Sequence, residues 1–137
     1  MSRTASGSFE VRTAPLGAGD SIDGVSLGRL SLDKVFSGDF AGTGKGEMLT
    51  AMTAVSGSAG YVAIERVTGA LEGRSGAFVL QHSGVMTRGA AQLTLTIVPD
   101  SGTGELAGIS GRMAIVISDG KHRYELEYTL PSGPISE

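Results

Sequence analysis

Cysteine is absent from this sequence, and aromatic residues make up only 5% of its 137 residues. Without cysteine the chain forms no disulfide, no thiolate metal site and no cysteine nucleophile. The formal net charge is -3 and like charges do not cluster, which excludes a basic face for nucleic acid and a polybasic patch for a membrane surface. No apolar stretch is long enough to span a membrane, and the start does not read as a secretory signal. We therefore expect a cytoplasmic protein.

Glycine is the residue that the sequence has in excess, with 22 copies spread along the chain. The glycines keep no three-residue period, which excludes collagen, and the segments between them are rich in Val, Ile, Leu, Phe and Tyr, which argues against disorder. Glycine that punctuates short apolar runs is typical of turns and bulges in an all-β fold. At this length we expect one domain over residues 1–131 and a mobile C-terminal tail over residues 132–137.

Alternating apolar residues predict eight strands joined by short connections. An even number of such strands favours a closed, up-and-down antiparallel barrel, with a two-sheet sandwich as the alternative. Eight strands enclose an interior that side chains fill or that holds one small ligand. The predicted strands are Gly7–Thr13, Val25–Gly38, Lys45–Val55, Gly60–Val67, Gly76–His82, Gln92–Val98, Arg112–Ser118 and Lys121–Leu130. Pro15–Gly24 is expected to be a loop and Gly38–Gly44 a turn.

Side-chain alternation in the eighth and sixth strands predicts which side chains face into the barrel. Tyr124, Leu126 and Tyr128 alternate with charged residues, and the Asp119–Gly120 turn predicts a two-residue hairpin. In the sixth strand, Leu93, Leu95 and Ile97 alternate with polar residues. Carrying that second register back through turns at Arg88–Gly89 and Glu72–Gly73 selects further inward residues on the fifth and fourth strands. The predicted inward residues are therefore Ile115 and Ile117; Leu93, Leu95 and Ile97; Phe78, Leu80 and His82; and Tyr61, Ala63, Glu65 and Val67.

Glu65 and His82 are the polar residues that this register brings to the inner wall. Desolvation disfavours the charged form of a carboxylate, so an interior glutamate is suited to act as a general acid or base, or it satisfies a polar core by pairing. His82 is read as a proton shuttle or as a hydrogen-bonded core residue. His122, beside a hairpin turn, is expected to be solvated. Because tight ligand spacing is absent, no metal site and no cofactor is expected.

Two further groups supply candidates for a ligand site. Tyr61, Tyr124 and Tyr128 are expected either to line a pocket or to pack the core, and Phe78 and Leu80 are included among the candidate ligand-binding residues. Lys34, Glu47 and Arg66 are expected to pair across strands on the outer face. A shift of the second strand by one residue would instead bring Lys34 inside, next to Glu65. Lys34 and Arg66 are therefore included among the candidate ligand-binding residues.

Five segments also resemble a known family, and together they extend over nearly the whole chain. They are Asp33–Asp39 (DKVFSGD), Gly44–Leu49 (GKGEML), Gly60–Gly69 (GYVAIERVTG), Gly73–Gly84 (GRSGAFVLQHSG) and Pro99–Leu106 (PDSGTGEL). The sequence is similar to domain-of-unknown-function family 3224. That resemblance implies a bacterial protein with a barrel like that of the allene oxide cyclases, a fold shared with plant dirigent proteins. It implies no activity, because function resides in the site and not in the fold.

These observations favour a barrel that binds a small, largely apolar molecule inside. A cofactor-free isomerase or cyclase with Glu65 as general acid or base is the alternative, and a filled barrel that serves only as a scaffold is a third. Whether the protein is an enzyme stays open at this point. The predicted outer face includes Val62, Ile64, Val79 and Val116, so we expect a homo-oligomer that buries part of it.

Overall fold

Ten β-strands make up the fold in a computed structural model, which describes residues 2–131 of the chain. The expected C-terminal tail, residues 132–137, lies outside the described residues. Within residues 2–131 no helix is long and apolar enough to cross a membrane. The strands are β1 (Arg3–Pro15), β2 (Asp20–Ile22), β3 (Val25–Gly38), β4 (Phe40–Met52), β5 (Ala59–Leu71), β6 (Arg74–Thr87), β7 (Ala90–Ile97), β8 (Thr103–Gly104), β9 (Ser110–Ser118) and β10 (Lys121–Thr129).

Eight of these strands close into an antiparallel up-and-down barrel, as the sequence predicts. The first strand, β1, closes the sheet because it pairs with β10 on one side and with β3 on the other. The order around the barrel is β1, β10, β9, β7, β6, β5, β4 and β3. Every strand of the barrel has a partner on both sides, although β7 and β9 pair at only two positions. The sandwich alternative is thereby excluded.

Two short strands lie outside the barrel path, and the sequence reading missed both. The segment Pro15–Gly24 is not wholly a loop, because β2 folds back on the start of β3 through Asp23 and Gly24, which both have positive φ. The expected turn over Gly38–Gly44 is also wrong. The chain reverses at Gly38 and Asp39, and β4 already begins at Phe40. The second short strand, β8, pairs with β6.

The three predicted two-residue turns are confirmed, and with them the inward register. Glu72–Gly73, Arg88–Gly89 and Asp119–Gly120 all have positive φ at both positions, the geometry of type I′ hairpins. Glu65 lies opposite Leu80, and Ala63 lies opposite His82. Because no bulge shifts the pairing between β5 and β6, both polar side chains point inward.

Aromatic and aliphatic side chains fill one half of the barrel. Phe36, Phe40 and Tyr124 pack edge-to-face, with ring centroids 5.3 Å (Phe36 to Phe40) and 5.7 Å (Phe36 to Tyr124) apart. The connection after β8 closes this end with Leu106 and Ile109, both fully buried. The rest of the packed core consists of Ala5, Phe9, Val67, Leu71, Phe78, Leu80, Leu95, Ile97, Met113, Leu126 and Tyr128.

Candidate functional site

Three buried polar side chains meet where the packed half of the barrel ends. Glu65 is 0% exposed, His82 2% and Lys34 5%. Lys34 Nζ donates a hydrogen bond to Glu65 Oε1 at 3.1 Å, and His82 Nε2 donates to the same oxygen at 2.9 Å. A buried charge is stable only when it is paired and hydrogen-bonded, which this arrangement provides. We call Lys34, Glu65 and His82 the polar cluster.

The hydrogen bonds of the polar cluster define the tautomer of His82. The Glu65 carboxylate can only accept, so Nε2 of His82 must carry the proton. In the neutral ring Nδ1 is then an acceptor, and the Tyr61 hydroxyl lies 3.4 Å from it. Burial, and secondly the charge of Glu65, raise the pKa of Tyr61, which keeps its hydroxyl protonated. A hydrogen-bonded chain therefore runs from Glu65 through His82 to Tyr61.

Glycines on β4 allow Lys34 and Glu65 to meet although they lie on β3 and β5, with β4 between them. Lys34 lies opposite Gly44, and Glu65 lies opposite Gly46. A Cβ on Gly44 would overlap Glu65 Oε2 and would lie 3.0 Å from the Cδ of the same carboxylate. The inward positions of β4 thus leave space that the two long side chains share. In the sequence this space is indicated by Gly42, Gly44 and Gly46, because their spacing of two residues places all three on one face of the strand.

The expectation that Lys34 pairs across strands on the outer face is wrong. The side chain faces inward, as in the reading with a shift of one residue, and its Nζ lies 4.7 Å from the centre of the Phe9 ring. Burial lowers the pKa of Lys34, and the opposing attraction of Glu65 does not cancel this effect. The expected outer partner, Glu47, pairs instead with Arg29, with 2.7 Å between Arg29 Nε and Glu47 Oε1.

An open cavity of about 240 Å³ lies above the polar cluster, at the barrel end away from Leu106 and Ile109. Its wall is almost entirely apolar, and Lys34, His82 and Tyr61 supply polar groups. Glu65 lies beneath and does not line it. The lining residues are Phe9, Val11, Thr13, Leu32, Lys34, Met48, Tyr61, His82, Leu93, Ile115, Ile117 and His122.

The cavity is also open at the side, where two neighbouring strands diverge. Strands β7 and β9 pair only at Leu95 with Met113 and at Thr96 with Arg112. Leu93 and Ile115, two residues further toward the mouth on each strand, line the cavity without a ladder pair between them. This divergence widens the opening of the barrel.

The other predicted site residues lie away from this cavity. Phe78, Leu80 and Tyr124 are buried in the packed half of the barrel and do not line the cavity. Arg66 lies on the outer face of β5, which its position next to the inward Glu65 requires. His122, which was expected to be solvated, is only partly exposed and, unlike these residues, lines the cavity. Its ring is half-buried and packs on Phe9, with ring centroids 5.2 Å apart.

Tyr124 has a structural role that its sequence context did not reveal. Its hydroxyl accepts a hydrogen bond from the Phe40 backbone N–H at 2.8 Å and lies 2.9 Å from the Ser37 carbonyl oxygen. It therefore fastens the tight turn between β3 and β4.

Among residues 2–131 no group of three His, Asp or Glu side chains is placed to hold a metal ion.

The fold and the site together define a closed eight-stranded antiparallel barrel, half packed and half open, with a buried ionic cluster beneath the open half. Residues 5–128 match the family model described as "Protein of unknown function (DUF3224)", so the chain belongs to this family. It is similar to the crystal structure of a DUF3224 protein of unknown function from Shewanella oneidensis MR-1. The two share 50% identity over 97% of this chain and 100% of the other, with a TM-score of 0.93. A comparison with curated proteins finds no match.

Proposed function

We propose that the barrel binds a small, largely apolar molecule in the cavity above the polar cluster. The observation that carries this proposal is the combination of an apolar wall with Lys34, His82 and Tyr61 at one end. Ligand sites generally combine apolar walls with a few polar groups that fix orientation. A dry cavity of ~150 Å³ holds benzene, so about 240 Å³ suits a ligand of one ring with a short substituent.

The test of this proposal is to fill the cavity with a larger side chain. Ile115 lines the cavity, whereas Val116, next to it on β9, points outward and is exposed. Ile115→Trp should abolish the binding of one-ring probes such as cyclohexanol and cyclohexanone, and Val116→Trp is the matched control. Binding is measured by saturation-transfer NMR and isothermal titration calorimetry. If wild type binds none of the probes, or if Ile115→Trp binds them as wild type does, the proposal is wrong.

A cofactor-free isomerase or cyclase is a second candidate. The observation in its favour is the chain of hydrogen bonds from Glu65 through His82 to Tyr61 at the cavity. Glu65 would then act as the buried proton acceptor and the other two would exchange protons with the ligand. Glu65→Gln distinguishes the candidates: it should leave ligand affinity within about threefold and abolish turnover, since a threefold change corresponds to only ~0.7 kcal/mol. Absence of turnover in wild type with every ligand that binds would exclude the enzyme.

We also propose a homo-oligomer in which a second copy covers the outer face of β3–β6. This proposal is supported by a contiguous set of exposed apolar side chains, in which Leu49 lies opposite Val62. The members are Leu27, Leu49, Val62, Ile64 and Val85. Scattered exposed apolar residues need no partner, but a contiguous patch marks an interface. Val62→Lys should shift the mass in light scattering toward the monomer, whereas Thr68→Lys, also outward on β5, should not. A monomeric wild type would contradict the proposal.

A further inference from the structure

The polar cluster has unused hydrogen-bond donors at the cavity. A lysine ammonium carries three N–H donors. Among residues 2–131, Lys34 Nζ makes one hydrogen bond, to Glu65 Oε1. Nζ also lies 4.7 Å from the centre of the Phe9 ring, which lines the cavity, and 5.8 Å from the centre of the Phe36 ring. Buried donors need partners, so a ligand that carries an acceptor oxygen would complete the site.

The charge of the cluster indicates which acceptor fits. The ammonium of Lys34 and the carboxylate of Glu65 cancel, and the Nε2–H tautomer of His82 is neutral. A ligand carboxylate would add a buried negative charge that nothing in the cluster compensates. A neutral acceptor adds no charge. The oxygen of an aldehyde or ketone meets this requirement, and the remaining apolar part of such a molecule matches the wall of the cavity.

We propose that the ligand is a small apolar aldehyde or ketone and that the amine of Lys34 captures it as a Schiff base. This inference rests on the ligand site proposed above and names the chemistry of that site. It depends on Lys34 lying at the cavity with its Nζ in hydrogen-bonding contact with Glu65 Oε1. An amine held beside a carbonyl carbon reacts in an effectively unimolecular step.

The reaction can be balanced with the groups of the polar cluster and the Tyr61 hydroxyl. Lys34 first transfers one proton to Glu65 along their hydrogen bond, which turns the ion pair into a neutral pair. The lone pair of Nζ attacks the carbonyl carbon, and a C–N bond forms as the C=O π pair moves to oxygen. That oxygen takes a proton from the Tyr61 hydroxyl, which receives one back from Nζ. The carbinolamine then loses water, and the imine nitrogen regains the proton from Glu65.

The net change is therefore ammonium plus carbonyl to protonated imine plus water, with no oxidant or reductant. The cluster begins and ends with one positive and one negative charge, so no uncompensated charge is left in the interior. Burial also lowers the pKa of Lys34, which makes its neutral amine more accessible than that of an exposed lysine. His82 holds Glu65 Oε1 and orients Tyr61, which makes it a positioning residue in this scheme.

The chain has three lysines, so the experiment compares Lys34 with the other two as internal references. Full-length protein is incubated with cyclohexanecarbaldehyde and sodium cyanoborohydride near pH 7, and the sites of reductive alkylation are mapped by peptide mass spectrometry. Lys45 and Lys121 are exposed, so they report the reactivity of ordinary lysines. We expect labelling at Lys34 to exceed labelling at either of them by about tenfold or more, since the bound carbonyl is held next to its amine.

Two variants test whether the selectivity comes from the cavity. Ile115→Trp should remove the preference for Lys34 while it leaves labelling at Lys45 and Lys121 unchanged, and Val116→Trp should keep the preference. Saturation-transfer NMR of the same aldehyde, without reductant, separates two failures. If the aldehyde binds in the cavity but Lys34 is labelled no faster than the exposed lysines, this inference is overturned and the ligand site stands. If neither the aldehyde nor the other one-ring probes bind, both proposals are overturned.

Discussion

Removing Lys34 should destabilise the protein only while Glu65 keeps its charge. In wild type the two groups are nearly inaccessible to solvent, and Glu65 Oε2 has no hydrogen-bond partner among residues 2–131. Lys34→Met would leave the carboxylate with His82 as its remaining hydrogen-bond donor. Loss of one partner from a buried ion pair costs about 3 to 5 kcal/mol. We expect the free energy of unfolding to fall by this amount.

The same substitution should have a different effect when Glu65 is already neutral. In Glu65→Gln the Lys34 ammonium is itself a buried charge without a counter-ion, so its replacement by Met removes an unfavourable group. Replacing both members of a buried pair by neutral groups of similar volume is often neutral or stabilising. The double variant should therefore be at least as stable as Glu65→Gln alone. The coupling between the two positions is then about 3 kcal/mol or more.

The assay is urea unfolding at pH 7 of wild type, both single variants and the double variant, followed by far-ultraviolet circular dichroism. Lys45→Met is the matched control, because Lys45 is exposed on the outer face of β4. Surface changes of this kind stay within about 0.5 kcal/mol. If Lys34→Met lowers stability equally in both backgrounds, the two side chains do not act as an ion pair and the account of the polar cluster is wrong.

Three further predictions test the surroundings of the cluster. Gly44→Ala should lower the free energy of unfolding by about 1 to 3 kcal/mol because its Cβ overlaps the Glu65 carboxylate. Gly60→Ala, whose nearest contact would be an ordinary 3.6 Å, is its control in urea unfolding, and equal losses would contradict the overlap. Tyr124→Phe should cost about 1 to 3 kcal/mol, since it leaves the buried Phe40 N–H without its acceptor; an unchanged urea midpoint would contradict this role. Finally, the pKa of Tyr61 is raised in the folded state, so its ionisation favours the unfolded chain above the ordinary value of about 10. The stability that depends on a neutral Tyr61 is complete below that pH and is lost as the pH rises above it. In urea unfolding at a series of alkaline pH values, the free energy of unfolding of Tyr61→Phe should therefore fall less above pH 10 than that of wild type. An equal fall in both proteins would refute this.

The positions of the strands and the side chains that face inward followed from local physical rules. Type I′ turns need positive φ at two adjacent positions, which Asp-Gly favours and which Glu72–Gly73 and Arg88–Gly89 also adopt, and such turns leave no residue unpaired. Register therefore passes from β10 to β9, and from β7 back to β5, without a shift, and the second of these placed Glu65 and His82 on the inner wall. The same rule places Arg66 outside, and its inclusion among the ligand-binding candidates conflicted with that rule.

The candidate site was predicted less well, because alternation gives the face of a strand but not its height in the barrel. Phe78 and Leu80 point inward as predicted, yet Leu106 and Ile109 close their end of the barrel and leave them in solid packing. Tyr61 points inward near the opposite end and meets open space. Which inward residues can touch a ligand depends on where the chain closes one end.

The sequence by itself determined an all-β chain, its eight barrel strands and the inward direction of Glu65 and His82, because alternation and tight turns act over a few neighbouring residues. Tertiary structure alone decided that Lys34 pairs with Glu65 and that a cavity remains above them. Both depend on strands that are distant in sequence: β3 and β5 meet across the inward glycines of β4, and β1 closes the wall between β10 and β3. Such contacts arise only when the barrel closes; the period-two glycines of β4 indicate space on one face of the strand, but not which side chains from other strands fill it.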